Sequence, residues 1–477
     1  MHPLLPASLW LAIALPFNAQ ADTATDLDAL RQEIASIRAA YEARLQSLEQ
    51  RLEAAEAKVS APGRSLAPAA APAAAAAPAA ATPSGPPSAR TASAPNSGVA
   101  GAANAFNPAL SLILSGLYAR TSQDPARYSI TGFQLPDDAQ VGPGTRGFGL
   151  AESELGISAS IDPWLRGAAH IALAPDNGVS IEEAYIQTTA LGNGLSLKAG
   201  RFFSGIGYLN EQHAHTWDFA DSPLAYQTML GTQYGDDGVQ MKWLAPTEQF
   251  LEFGLELGRG LGFPGGDNSQ NGAGSTALVA HTGGDIGASQ SWRAGLSMLS
   301  AKAFGQHVVG RPDPTGDPVT SVFAGRTRVW VADAVWKWAA NGNARRTSFK
   351  LQGEYLRSTR EGTLIYDVGN TDSAGALRAV QSGWYLQGLY QFLPGWRLGL
   401  RTERLDPGTL DDGLSAAGFA QSGYRPRKNT LMLDFNASEF SRVRLQVAID
   451  RAREGTSDKQ LFLQYQMSLG AHRAHSY

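Results

Sequence analysis

From residue 106 to the C-terminus the chain repeatedly alternates apolar and polar residues with a period of two, over segments of about ten residues. Leu155, Ile157, Ala159 and Ile161 alternate with Glu154, Gly156, Ser158 and Ser160. Leu251, Phe253, Leu255 and Leu257 alternate with Glu252, Gly254, Glu256 and Gly258, and Val443, Leu445, Val447 and Ile449 with Arg444, Gln446, Ala448 and Asp450. Each segment reads as a strand with one apolar and one polar face.

Two kinds of connection take turns between these segments. Short ones fall at Asp162-Pro163, at 191–194, at 245–247, at 341–343, at Pro394-Gly395 and at 437–439. Long polar ones cover 123–146, 204–236, 259–274, 303–325, 357–379 and 406–425. A soluble sandwich gives the same alternation with its apolar face inward. Short turns at one end and long loops at the other, together with an export signal, favour an all-β fold: a transmembrane antiparallel β-barrel of about sixteen strands. That strand number leaves an aqueous channel rather than a filled core. Trp164, Trp243, Trp336, Trp338, Trp384 and Trp396 sit at predicted strand ends, where they suit interfacial girdles.

The period changes before residue 106. Over 22–59, Leu27, Leu30, Ile34, Ile37 and Tyr41 are spaced by alternating steps of three and four, and the stripe continues at Leu45, Leu48, Leu52, Ala55 and Val59. This predicts an α-helical coiled coil with a stutter at Tyr41. Arg44, Leu45, Leu48 and Glu49 stand in the R-h-x-x-h-E order of short parallel trimers, although the Arg and Glu of a plain amphipathic helix would simply face water. Residues 60–105 are mostly Ala, Pro, Ser and Gly, a disordered spacer with partly polyproline II character. Residues 3–17 form an apolar run followed by Ala19-Gln20-Ala21, so 1–21 reads as a signal peptide. The expected domains are thus 1–21, 22–59, 60–105 and 106–477, with the stalk in the periplasm and the barrel in the bacterial outer membrane.

Composition narrows the function. The 477 residues carry a formal charge of -4 and no cysteine, so disulfides and thiolate metal sites are excluded, and no clustered basic footprint for nucleic acid appears. Neither a nucleophile elbow nor an H-E-x-x-H motif is present, so the chain reads as no enzyme.

Chemistry concentrates in 200–237, a connection too long for a turn and, with Trp217, Phe219, Tyr226 and Tyr234, too aromatic for a disordered one. It reads as an ordered loop folded into the mouth or bore, with Arg201, Glu211, His213, His215, Trp217 and Asp218 at a pore constriction. His213 and His215 project the same way if the backbone is extended, and Glu211 and Asp218 could add oxygens for a zinc-like ion. The alternative is that these are polar residues hydrogen-bonded to the wall. The strand register further predicts inward charges at Glu154, Arg166, Lys198, Lys242, Glu252, Arg397 and Arg401, of mixed sign, which would create a transverse field across a pore.

The segment EEAYIQTTALGNGLSLKAGRFFSGIG, 182–207, resembles the strand-turn-strand that leads into the constriction loop of trimeric outer-membrane porins, closest to the phosphate-selective and carbohydrate branches. In this count the loop follows the fifth strand, where the resemblance implies a pore-narrowing loop at 202–236. The phrases FFSGIGYLNEQHAHTWDF and QYGDDGVQ also resemble a proteobacterial group labelled zinc-regulated or TonB-dependent outer-membrane receptors, although a rod and a spacer stand here in place of a plug-sized segment. The leading expectation is a homotrimeric porin embedded in outer-membrane lipid, passing small polar solutes or ions. The alternatives are a receptor or uptake channel for a metal ion or metal complex such as zinc, and a barrel that only anchors an adhesive stalk.

Overall fold

A computed structural model describes residues 108–136, 139, 141–175, 178–266, 271–309, 319–414 and 422–470. The signal peptide, the coiled coil, the spacer and the terminal aromatic Tyr477 lie outside the described residues. What is described is one sheet closed on itself.

Its strands are β1 (Ala109–Thr121), β2 (Gly147–Leu150), β3 (Ser153–Ser160), β4 (Leu165–Leu173), β5 (Val179–Thr188), β6 (Leu195–Phe203), β7 (Gly235–Leu244), β8 (Phe250–Gly258) and β9 (Ser275–Ile286). There follow β10 (Gln290–Val309), β11 (Thr320–Ala339), β12 (Ser348–Tyr366), β13 (Ser373–Leu393), β14 (Trp396–Asp411), β15 (Arg427–Ser438), β16 (Ser441–Arg451) and β17 (Asp458–Gly470). Every neighbour pairs antiparallel, and β1 closes the ring by pairing with β17 from Ser111 opposite Gly470 to Thr121 opposite Gln460. On its other edge β1 pairs with β3 and then with β2, so these two share one place and the barrel has 16. With β2 and β3 sharing a place, closure gives every described strand a neighbour on both sides, which is what allows a sheet to sit in hydrocarbon.

The alternation read from the sequence is the alternation of the two faces. On β16, Val443, Leu445, Val447 and Ile449 are exposed outward, whereas Arg442, Arg444, Gln446, Ala448 and Asp450 are buried inward. The barrel therefore inverts a soluble protein, with its apolar side chains outside and its charges within. Aromatic pairs stand near the short-turn end: Trp243 with Phe253, Trp336 with Phe349 and Trp396 with Phe435. Trp330 and Trp384 lie nine residues before the turn ends of their strands at Ala339 and Leu393, and both are exposed. At a strand rise of ~3.4 Å and the usual tilt, that separation is roughly 23 Å along the barrel axis, the height of an apolar belt.

Two expectations about the connections change. Strands β10 to β13 have 20, 20, 19 and 21 residues, about twice what a bilayer requires, so much of 303–325 and 357–379 is paired hairpin rather than loop. Those stretches read as loops because their polar residues hide the alternation. At the same end only 174–178 separate β4 from β5, and Ala174 N–H donates to Gly178 O at 2.9 Å, so the long loops are not uniform.

The outward row of β16 yields a direct test. Leu445→Arg places a charge on the lipid face near the strand's centre and is expected to destabilise the barrel by about 2–4 kcal/mol in reversible urea unfolding from lipid vesicles. A loss below roughly 1 kcal/mol would move Leu445 away from the bilayer midplane.

Candidate functional site

The connection from β6 to β7 enters the barrel. Its residues Ile206, Leu209, Trp217, Leu224, Ala225, Tyr226, Met229, Leu230 and Tyr234 join one buried apolar cluster with the inward wall residues Leu299, Val329, Val331, Leu356, Tyr385 and Leu405. Within it lies a two-turn helix, α1 (Leu224–Leu230), buried on every side. Leu224 N–H at its start donates to Glu403 Oε2 at 2.6 Å, and Gly231, in the left-handed region at φ 61°, returns its N–H to Tyr226 O. Seven residues cannot hold a helix alone, so tertiary burial maintains this one.

Polar groups inside a barrel need partners as strictly as any buried group. Wall carboxylates take the loop's N–H groups. Glu256 accepts from Gly205 N–H at 2.8 Å and from the Ser204 hydroxyl, and Glu183 from Phe203 N–H at 3.1 Å. Glu354 accepts from Tyr208 N–H, Leu209 N–H and the Tyr226 hydroxyl at 3.2, 3.0 and 2.7 Å. Gly207 permits that approach, because a Cβ on it would lie 2.3 Å from Glu354 Oε2. Asn210 ties the loop's two ends, donating to Ser204 O and Tyr234 O and accepting from Tyr234 N–H, each at 2.8 Å.

Wall cations take the loop's carboxylates. Lys242 meets Glu211 at 2.5 Å, Lys350 meets Asp218 at 2.8 Å with Arg397 at 3.5 Å, and Lys428 and Arg401 meet Asp221 at 2.5 and 2.9 Å. Arg444 donates to Trp217 O at 3.0 Å and pairs with Asp434. Burial alone would raise the Asp218 and Asp221 carboxyls, but Lys350 and Arg397 around the first and Lys428 and Arg401 around the second outweigh it and hold both well below the usual range.

A different cluster surrounds the histidines. A turn of 3-10 helix at Ala214–Thr216 brings His213 and His215 side by side, their rings stacked with centroids 5.6 Å apart. His213 Nδ1 lies 2.9 Å from Glu154 Oε2 and 3.1 Å from Glu182 Oε2, and its Nε2 lies 3.0 Å from Glu183 Oε2. His215 Nδ1 lies 3.3 Å from Glu154 Oε2 and 3.7 Å from Glu152 Oε1, and His170 Nδ1 is 2.6 Å from Glu154 Oε1.

Two β-bulges aim these carboxylates. Between β2 and β3 the strand gains one residue against β1, since Leu150 opposes Gly116 and Glu154 opposes Ile113. In β5, Glu182 is the extra residue, with His170 opposite Glu183 and Ile171 opposite Ile181. A bulge re-aims side chains that strict alternation would send to opposite faces. Hence adjacent Glu182 and Glu183 both reach His213.

Several residues singled out from sequence land elsewhere. Arg201 shares the outward row of Leu195, Leu197 and Ala199 and pairs there with Asp237 at 2.6 Å, so it stands on the barrel's outer face rather than at a constriction. Parity at the loop entrance was the deciding unknown. Glu211 and Asp218 are drawn to Lys242 and Lys350, and neither belongs to a His and carboxylate group close enough to share an ion. The four expected metal ligands do not converge, because the backbone turns at Ala214–Thr216 instead of running extended. Glu211, His213, His215, Trp217 and Asp218 do lie inside the barrel, and Glu154, Arg166, Lys198, Lys242, Glu252, Arg397 and Arg401 stand on inward rows. Lys242, Arg397 and Arg401 bind the loop. Sequence reasoning missed Glu182, Asp221 and the anchoring role of Glu354. The Glu182-Glu183 pair, which breaks the period of two, was the available signal.

The family model for "Phosphate-selective porin O and P" matches residues 167–404. An uncharacterised protein of Aquifex aeolicus (strain VF5) is 30% identical over 367 residues, 70% of this chain and 70% of that one. Among solved structures, OprB of Pseudomonas putida aligns at TM-score 0.48 and 14% identity over 76% of this chain and 94% of that one. An anion-selective porin from Comamonas acidovorans aligns at 0.46 and 11% over 76% and 99%.

Asp221 carries two of the anchoring ion pairs. Asp221→Asn leaves the buried Lys428 and Arg401 undercompensated, and about 3–5 kcal/mol of loop docking is expected to go with it. Amide hydrogen exchange across 204–234 should accelerate while strand protection holds; unchanged loop exchange would remove Asp221 as an anchor. Because the folded carboxyls of Asp218 and Asp221 sit below the ordinary ~3.9, their contribution is fully present above that pH and is lost only as pH falls through the folded values. Loop exchange, corrected for its intrinsic pH dependence, should therefore show no loosening at these two anchors between pH 8 and 5.

Proposed function

The chain belongs to the phosphate-selective porin O and P family and is an outer-membrane porin, and on that premise we propose that small polar solutes or ions diffuse through it passively, screened by the loop at 204–234. The observation that carries this reading is the loop's fixed seat inside the barrel, held by Glu256, Glu354 and Glu403 at its N–H groups and by Lys242, Lys350, Arg401 and Lys428 at its carboxylates. A 16-strand barrel with an empty interior would pass solutes with little discrimination. A loop anchored at this many points narrows the passage without needing to move, and its residual charges and those of the wall present both signs to whatever passes. Mixed signs favour screening by size and polarity over capture of one anion.

The same reading makes the protein a trimer, with 22–59 as its coiled coil in the periplasm and the loop end of the barrel outside the cell. The heptad pattern supports the first, and the positions of both barrel termini at the turn end support the second.

Planar-bilayer recording tests both parts. The intact protein should insert in three equal current steps, and replacing 206–232 with a short Gly/Ser linker should raise single-channel conductance severalfold and level its preference among ions and sugars. Conductance and selectivity unchanged by that replacement would remove the loop from the solute path. A monomer in mild detergent would overturn the trimer.

A further inference from the structure

The anchors of this loop divide by chemistry. Glu211, Asp218 and Asp221 are met by lysine and arginine. The histidine end is not built that way: the ion pairs of Glu152, Glu154, Glu182 and Glu183 among the described residues are to the imidazoles of His170, His213 and His215. Four carboxylates facing three weak bases is an arrangement suited to binding a cation.

We propose that Glu152, Glu154, His213 and His215 bind one zinc-type divalent ion, which clasps the loop to the wall at the start of β3. These four offer one ligand atom each, all within 4.8 Å of one another. The measured separations are 2.9 Å from Glu154 Oε2 to His213 Nδ1, 3.3 Å from Glu154 Oε2 to His215 Nδ1 and 3.7 Å from Glu152 Oε1 to His215 Nδ1. With zinc bonds of ~2.0–2.1 Å, neighbouring corners of a tetrahedron stand about 3.3 Å apart, the middle of that range.

A second observation comes from the shared carboxylate. Glu154 is 2% exposed, and its Oε2 stands 2.9 Å from His213 Nδ1 and 3.3 Å from His215 Nδ1. One carboxylate oxygen set between two imidazole nitrogens at these separations is an arrangement that ligands of one ion take. The surroundings complete the pattern. Glu183 Oε2 lies 3.0 Å from His213 Nε2 and would hold the proton there once Nδ1 exchanges its 3.1 Å contact with Glu182 Oε2 for the ion, and His170 holds the other oxygen of Glu154. An N2O2 set with borderline donors suits zinc over calcium or magnesium, which take more oxygens.

The site depends on the seating of the loop and not on what the channel carries, so its failure would leave the porin reading standing. Full-length protein purified from outer membranes in detergent, stripped with a chelator, is titrated with zinc by calorimetry and with cobalt by visible absorption. One ion per chain and the intense bands of tetrahedral cobalt are expected. His215→Ala should weaken binding by more than 100-fold and Glu183→Gln by roughly 10–100-fold, whereas His307→Ala, on the outer face, should bind as the parent does. Heat-modifiable mobility on gels checks that each barrel is folded, and Glu152→Gln replaces His215→Ala if that variant is not. Stripped parent protein that takes up neither metal, or binding that survives both His215→Ala and Glu152→Gln, leaves only a hydrogen-bonded cluster and overturns the proposal.

Discussion

A loop drawn into the middle of a barrel must find a partner for every N–H, carbonyl and charge it takes out of water, and this constraint shapes both the loop and the wall. Each unsatisfied buried group costs ~1–3 kcal/mol, more when charged. The wall meets it with two sets of side chains. Carboxylates on β5, β8, β12 and β14 accept from loop N–H groups, and cations on β7, β12, β14 and β15 hold loop carboxylates. Removing one member strands another in a low-dielectric interior, so the network is cooperative.

Apolar burial supplies what this polar network lacks. Ion pairs between buried groups return little net stability after desolvation. Leu224, Tyr226, Met229 and Leu230 of α1, packed against Val331, Leu356, Tyr385 and Leu405, bury surface at ~1.5–3 kcal/mol per side chain. The wall thus carries an apolar patch on a face that otherwise reads as polar. Hydrophobic contact holds the loop in, and the charged pairs fix where it lies.

Much of this was legible in the chain. The period of two gave the barrel, and strand counting put the loop in the fifth place, where β6 stands once β2 and β3 share a position. Along β4, β8 and β16 the wall charges fall on the row opposite the outward apolar one, because one face meets lipid and a slip of one residue would invert it. Three features escaped. Arg201 stands where strand parity meets the loop and nothing in its neighbours fixes its side. Asp218 and Glu211 lie close to His213 in sequence, but the turn at Ala214–Thr216 separates them in space. The hairpins of β10 to β13 outrun the membrane, where polar residues interrupt the alternation although Ala303, Val308, Phe323, Leu364 and Leu377 cluster inside.

The bulges explain why the histidine cluster in particular was hidden. Sequence periodicity assumes that successive side chains face opposite ways, so Glu182 and Glu183 are assigned to different faces, one of them to lipid. A carboxylate on the lipid face would be expensive, and that conflict is itself information: either the strand is not a membrane strand, or its backbone departs from the ladder at that point. The ladder departs, with Glu182 inserted between the partners of His170 and Ile171. The matching irregularity at 151–153 lies two strands away with His170 on β4 between them, so both insertions open toward one volume, and His213 fills it. Two independent departures from regular pairing that converge on the same imidazole are costly to the sheet, and they fall at the point where loop and wall meet.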